Sequence, residues 1–153
     1  MTCERLFNSG LVVSLFKDVI PYVEKDYRVR ANAQNPAIAG LSMGGSQTLC
    51  VVSSNPDKFA YVAIWSAGVG PQNTGDFEKR NAAFLENSSR INKQVKLFSI
   101  CVGEKDFAFA GSNNLSEILN EHGIKHELHL SGGGHTWINW RQYLNAYLPM
   151  LFR

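Results

Sequence analysis

Ser42 stands in the run AIAGLSMGGSQTL, residues 37–49, two positions after Gly40 and two before Gly44, with Gly45 following. A serine hydroxyl is a weak nucleophile until a base takes its proton. The Gly-x-Ser-x-Gly spacing suits a tight strand-to-helix bend that lifts an alcohol clear of the backbone. Such a bend strains the serine, and side chains two positions either side would meet the neighbouring strand and helix, which accounts for Gly40 and Gly44. At the start of a helix the unpaired N–H groups and the positive end of the dipole can stabilise nearby negative charge.

The partners expected of such a serine follow in the order acid, then histidine. Asp106 lies 64 residues on, in VGEKD, and His135 a further 29 residues on, in SGGGHTW. Each comes just past a different apolar run, where ligands gather in open α/β sheets. Ser42 would attack, His135 would carry the proton, and Asp106 would fix the imidazole tautomer and stabilise its cation. Asp57 and Asp76 are rivals for the acid, but neither follows a strand end so directly. His122, His126 and His129 read as surface or strand-face residues: His126 and His129 point to opposite sides of a strand, and Gly123 ends the helix that carries His122. No metal is expected from them. Trp65 and Trp137 are candidates to line a substrate pocket, with ordinary core packing as the alternative.

The elements that must position these groups alternate along the chain. Apolar residues three and four apart predict a helix over residues 11–27, with Pro21 a kink or break. RVRANAQNP is a turn-rich connector. Short apolar runs predict strands at 37–41, 61–67, 94–103 and 124–130, and helices are expected at 44–54, 112–123 and 137–152. One or two more short helices are expected within 76–92, and Gly123 takes a helix-stop position. Strands alternating with helices imply parallel crossovers and a three-layer α/β sheet.

With 153 residues the chain suggests one domain with enough mass for a hydrophobic core. Hydrophobic residues at 44% and charged residues at 18% give an ordinary globular composition, and a net charge of +2 offers no nucleic-acid or membrane-surface footprint. LVVSLF, residues 11–16, is too short for a membrane span and reads as helix rather than signal peptide. Cys3, Cys50 and Cys101 form no CxxC or zinc pattern, so two or three free thiols are expected.

IPYVEKDYRV, AIAGLSMGGSQTL, NPDKFAYVAIWSAG, VGEKD and GGGHTWINWRQYL together resemble the "putative esterase" family. Feruloyl esterases and acetyl xylan esterases of the first carbohydrate-esterase family belong to it, with enterochelin esterases and S-formylglutathione hydrolase as relatives. The resemblance runs from about residue 11 to the C-terminus. It implies an α/β-hydrolase sheet of which residues 1–153 hold a single partial domain, the C-terminal half, with about four parallel strands and flanking helices. It maps Ser42, Asp106 and His135 onto the family's catalytic triad, and the backbone N–H of Met43 onto one oxyanion donor. The SAG that follows Trp65 maps onto a loop bordering the active site.

The implied reaction is ester hydrolysis through an acyl-enzyme without a cofactor, on feruloyl or acetyl groups of xylan-type polysaccharide. A thioester or siderophore-ester hydrolase, or a weakly active or inactive remnant, are the alternatives. Family members carry about a hundred further residues before the first helix, holding four more strands and the second oxyanion donor. A sheet lacking that flank would expose an apolar edge at the strand before Ser42, and a homo-oligomer is expected through it. Relatives of the polysaccharide type suggest secretion or a periplasmic location.

Overall fold

The computed structural model describes residues 10–30 and 36–153, which fall into two compact units, residues 1–34 and 35–153. In the first unit helix α1 (Leu11–Ser14) runs into a π-turn (Leu15–Val19) and then helix α2 (Ile20–Asp26). The break expected at Pro21 is therefore a widened turn just ahead of it. Proline has no N–H for the carbonyl four residues back, and its ring crowds the preceding turn. The π-turn, closed by the Ile20 N–H on the Leu15 carbonyl, loosens the ladder where that crowding falls. Cys3 and residues 31–35 of the connector lie outside the described residues.

The second unit is built on four parallel strands, β1 (Ala37–Leu41), β2 (Tyr61–Trp65), β3 (Leu97–Gly103) and β4 (Glu127–Ser131), side by side in chain order. Their helices are α3 (Met43–Ser54), α4 (Thr74–Arg80), α5 (Ala82–Leu85), α6 (Ser88–Gln94), α7 (Phe109–Glu121) and α8 (Trp137–Tyr147).

Strand parity sorts the helices into layers. Gly40, Ile64, Ile100 and Leu128 are in register and share one face. A β-carbon on Gly40 would meet Thr48 of α3, so α3 covers that face, and α7 joins it through Ser116, which hydrogen-bonds His126. The opposite parity, Tyr61, Ala63, Trp65 and Cys101, packs against Tyr143 and Tyr147 of α8. Two helices, a sheet and a third helix make the three layers expected. Every residue of β2 is buried, because a central parallel strand is covered on both faces.

Boundaries differ from the sequence reading for local reasons. β2 stops at Trp65 because Ser66 turns to a φ of 50°. β3 begins at Leu97, since Gln94 closes α6. Residues 74–94 hold three short helices rather than one or two, and α7 starts three residues earlier than expected. Ser112 is fully buried in α7. Pro149 ends α8 in a 3-10 turn (Leu148–Met150). Cys50 is disulfide-bonded and not the free thiol expected, while Cys101 is free and buried. No helix among the described residues is long and apolar enough to cross a membrane.

Candidate active site

Because the four strands are parallel, their carboxyl ends lie along one edge of the sheet, and every chemically useful side chain follows one of those ends. Ser42 comes directly after β1, at the start of α3, with φ 53° and ψ −121°. That is a sparsely populated conformation for a residue with a side chain, and it is held by its own N–H on the Trp65 carbonyl at 2.8 Å. Gly40 is required: a β-carbon there would sit 2.1 Å from the Gly44 carbonyl oxygen and 2.5 Å from Thr48 Oγ1. The matching expectation for Gly44 fails, since a β-carbon on Gly44 meets nothing within 4 Å among the described residues. Gly45 is the second crowded position, its β-carbon falling 2.7 Å from that of Ala67.

Asp106 follows β3 through a short turn closed by its N–H on the Gly103 carbonyl. His135 follows β4 in the triple-glycine loop. The Lys105 N–H binds the Gly133 carbonyl at 2.8 Å, and Asn139 of α8, itself buried, donates to the Gly134 carbonyl at 2.9 Å. These contacts bring the three predicted residues together. His135 Nδ1 lies 3.0 and 3.1 Å from the two Asp106 carboxylate oxygens, and His135 Nε2 lies 2.9 Å from Ser42 Oγ.

The Asp106 side chain is fully buried. Burial pushes its pKa up, but the Ala108 N–H, the Ser66 hydroxyl and His135 hydrogen-bond it, and attraction to His135 adds to them. Together they hold the carboxyl below the usual carboxylate range. An ionised carboxylate only accepts, so it orients the Nδ1–H of the imidazole and leaves Nε2 as acceptor for the serine proton. The His135 ring lies against two aromatic rings, Phe107 with its centroid 4.4 Å away in a tilted contact and Trp140 at 4.8 Å in a T-shaped one.

A cleft of about 380 Å³ opens beside Ser42, between the loop after β2 and the start of α7. Met43, Ala67, Pro71, Gln72, Phe107 and Ala110 are among its walls. The Met43 N–H is one of the first amides of α3, which have no partner within the helix and point toward Ser42's end. Trp65 does not reach the cleft. It is 5% exposed and packs on Tyr143 and Tyr147 under α8, so the core alternative is the one the structure shows. Trp137 is exposed at the start of α8, edge-on to Trp140. Among the described residues no group of three potential metal ligands occurs.

Sequence reasoning missed Phe107 and Asn139, and it had Ser66 only as part of the SAG placed beside the site by resemblance and Trp140 only as part of the GGGHTWINWRQYL motif, with no contact assigned to either. Phe107 carried a signal, since it adjoins the candidate acid. The other three act through contacts that local pattern does not encode.

A family model described as "Putative esterase" matches residues 9–151. The endo-1,4-beta-xylanase/feruloyl esterase of Xylanibacter ruminicola is 29% identical over 140 residues, which cover 91% of this chain and 17% of that protein. Among solved structures, the S-formylglutathione hydrolase of Staphylococcus aureus superposes with a TM-score of 0.75 at 22% identity, over 97% of this chain and 63% of that one. A feruloyl esterase module from Clostridium thermocellum, complexed with sinapinate, gives a TM-score of 0.75 at 23% identity, over 94% and 58%. The chain thus spans less than two thirds of each of these relatives. The two structural likenesses establish the α/β-hydrolase-type fold.

Proposed function

The chain belongs to the "Putative esterase" family, and from that premise we propose that it is a serine hydrolase of carboxylic esters working through an acyl-enzyme. The observation that carries the proposal is the relay from Ser42 Oγ to His135 Nε2 at 2.9 Å and from His135 Nδ1 to Asp106 at 3.0 Å.

In the first step Ser42 attacks the ester carbonyl while His135 takes the hydroxyl proton. The oxygen of the tetrahedral intermediate gains its negative charge beside the Met43 N–H and the positive end of α3. His135 then passes the proton to the departing alcohol, leaving an ester on Ser42. In the second step water enters, His135 removes its proton, and collapse returns the acid and the free serine. Asp106 stays ionised throughout and stabilises the imidazolium that forms twice per cycle. No cofactor is required.

Feruloyl or acetyl esters of xylan-type polysaccharide are the substrates we propose. The bifunctional Xylanibacter relative supports this class, and the apolar side of the cleft at Met43, Pro71 and Phe107 suits an aromatic or short acyl group. The family match spans both compact units and supports treating the chain as part of one α/β-hydrolase domain. Among the described residues β1 pairs only with β2, and its free edge supports self-association. A monomeric hydrodynamic radius at micromolar concentration would count against it.

The decisive experiment compares p-nitrophenyl acetate hydrolysis by the wild type and Ser42→Ala, together with fluorophosphonate labelling. The expected result is Ser42-dependent turnover and a single label on Ser42. Equal rates with no label would remove the hydrolase reading.

A further inference from the structure

An ester has an acyl side and an alcohol side, which point away from the attacked carbon in different directions. The cleft beside Ser42 is walled by Met43, by the loop after β2 and by residues from Phe107 to the first turn of α7. Among the described residues, none of its walls comes from the loop after β4 or from α8. Yet the group that must meet the alcohol stands in that loop. His135 Nε2, 2.9 Å from Ser42 Oγ, has to hand its proton to the departing alcohol oxygen and so must come within hydrogen-bond reach of it. The alcohol therefore leaves on the imidazole side, toward the elements that carry His135.

Those elements present tryptophan. Trp140 of α8 meets the His135 ring at 4.8 Å, and its indole Nε1 donates to Ser66 Oγ at 2.9 Å, which fixes the orientation of the ring. Trp137, three residues earlier, meets Trp140 at 5.2 Å with an interplanar angle of 79°. Trp137 is thus two ring contacts from the imidazole and is held by a fixed neighbour. The rest of its indole is bare: it is 69% exposed, and Ile138 beside it is 63% exposed. Arg141, four residues on and also exposed, shares the helical face of Trp137 and brings the five N–H donors of a guanidinium. A single exposed apolar residue calls for no explanation. A braced indole with an exposed isoleucine beside it, next to a catalytic base, is a patch of the kind that marks a ligand site.

The occupant has to carry an alcohol and to match an aromatic face flanked by donors. A sugar does both. The C–H face of its ring packs on the electron-rich face of an indole, its hydroxyls accept from a guanidinium, and another of its hydroxyls is the esterified oxygen. A methyl alcohol is too short to reach past the imidazole. We propose that Trp137 and Arg141 form the alcohol-side subsite of this chain and bind the sugar ring that carries the ester, with Trp140 bracing Trp137 against His135. This rests on the hydrolase reading for its kinetic consequence, though not for the binding of sugar.

The test compares two ferulate esters that share an acyl group, methyl ferulate and a feruloylated xylo-oligosaccharide. Trp137→Ala is expected to lower the kcat/KM preference for the oligosaccharide ester about twofold to tenfold, the range of one aromatic contact, and to do so through KM. Trp137→Phe restores a ring and should regain part of that preference. An unchanged preference in Trp137→Ala would overturn the proposal. Equal losses on both esters would make Trp137 a support for Trp140 and His135, and a change from dimer to monomer at constant preference would make it a contact between copies. A second measurement needs no turnover: unesterified xylo-oligosaccharide should shift the indole N–H resonance of Trp137 in NMR spectra of Ser42→Ala. Should wild type and Ser42→Ala hydrolyse p-nitrophenyl acetate equally, the hydrolase reading falls and this titration alone decides. A shifted Trp137 resonance then keeps the sugar site, and an unmoved one removes it.

Discussion

Gly40 and Gly44 touch so closely that a β-carbon on the first would lie 2.1 Å from the carbonyl oxygen of the second, although the reverse substitution meets open space. The asymmetry separates two glycines that the motif presents as equivalents. It also locates the steric demand of the bend on the strand side, where the carbonyl of α3's first turn crosses β1.

Gly40→Ala is therefore expected to destabilise by about 2–4 kcal/mol, since backbone atoms rather than a flexible side chain must move. Gly44→Ala is expected to be neutral or up to about 1 kcal/mol more stable, because alanine is the better helix former. Urea denaturation of the two variants checks both. Equal losses would mean that the crossing is not where the structure puts it.

The contrast shows what the sequence could and could not carry. Ser42, Asp106 and His135 were legible because each follows a strand end, and parallel strands bring their ends together however far apart they lie in the chain. The sheet was legible for the same reason: a buried parallel strand writes itself as a short apolar run. The bond between Ser66 and Trp140 was not, because 74 residues separate them and it depends on α8 crossing one particular face. Trp65 shows the same limit. Its parity places it opposite α3, but only the packing of Tyr143 and Tyr147 shows that this face is core rather than cleft.

Asp106 should leave a mark on acid stability. Its folded-state pKa lies below the ordinary unfolded value of about 3.9, so near and below that value the unfolded chain binds more protons than the folded one. Its stabilising contribution is then complete above about pH 4 and is lost as pH falls through the lower folded value. Asp106→Asn removes this component, and its urea midpoint should vary less than the wild type's between about pH 2 and 4. The same variant should lose on the order of 10⁴-fold in kcat on p-nitrophenyl acetate, because an amide can present its N–H to Nδ1 and favour the wrong tautomer. A steeper acid dependence in the variant would reverse the assigned direction of the shift.

Phe107 is 80% exposed yet lies against the His135 ring and lines the cleft. An exposed aromatic contributes little to folding, so Phe107→Ala should change stability by no more than about 0.5 kcal/mol. Its effect should fall on substrate. Aromatic pairs contribute about 0.5–1.5 kcal/mol beyond area, so KM for a feruloyl ester should rise about threefold to tenfold, with a smaller rise for an acetyl ester. Equal effects on both esters would place the acyl group elsewhere.

The loop after β2 must hold Ser66 and one wall of the cleft, and α7 anchors it. Ser112, fully buried, donates to the Ala67 carbonyl at 2.8 Å; Val69 N–H reaches the Gly111 carbonyl at 3.0 Å; and Asn114 donates to the Val69 carbonyl at 2.9 Å. Gly68 lets the two backbones meet, since a β-carbon there would lie 2.1 Å from the Gly111 carbonyl oxygen. Ser112→Ala removes one anchor and strands a buried carbonyl, which costs about 1–3 kcal/mol. Because the remaining anchors are local, the loss should appear as faster hydrogen exchange at Val69 as well as a lower urea midpoint. A lower midpoint with unchanged exchange at Val69 would mean that Ser112 supports α7 alone and that the cleft wall is held without it.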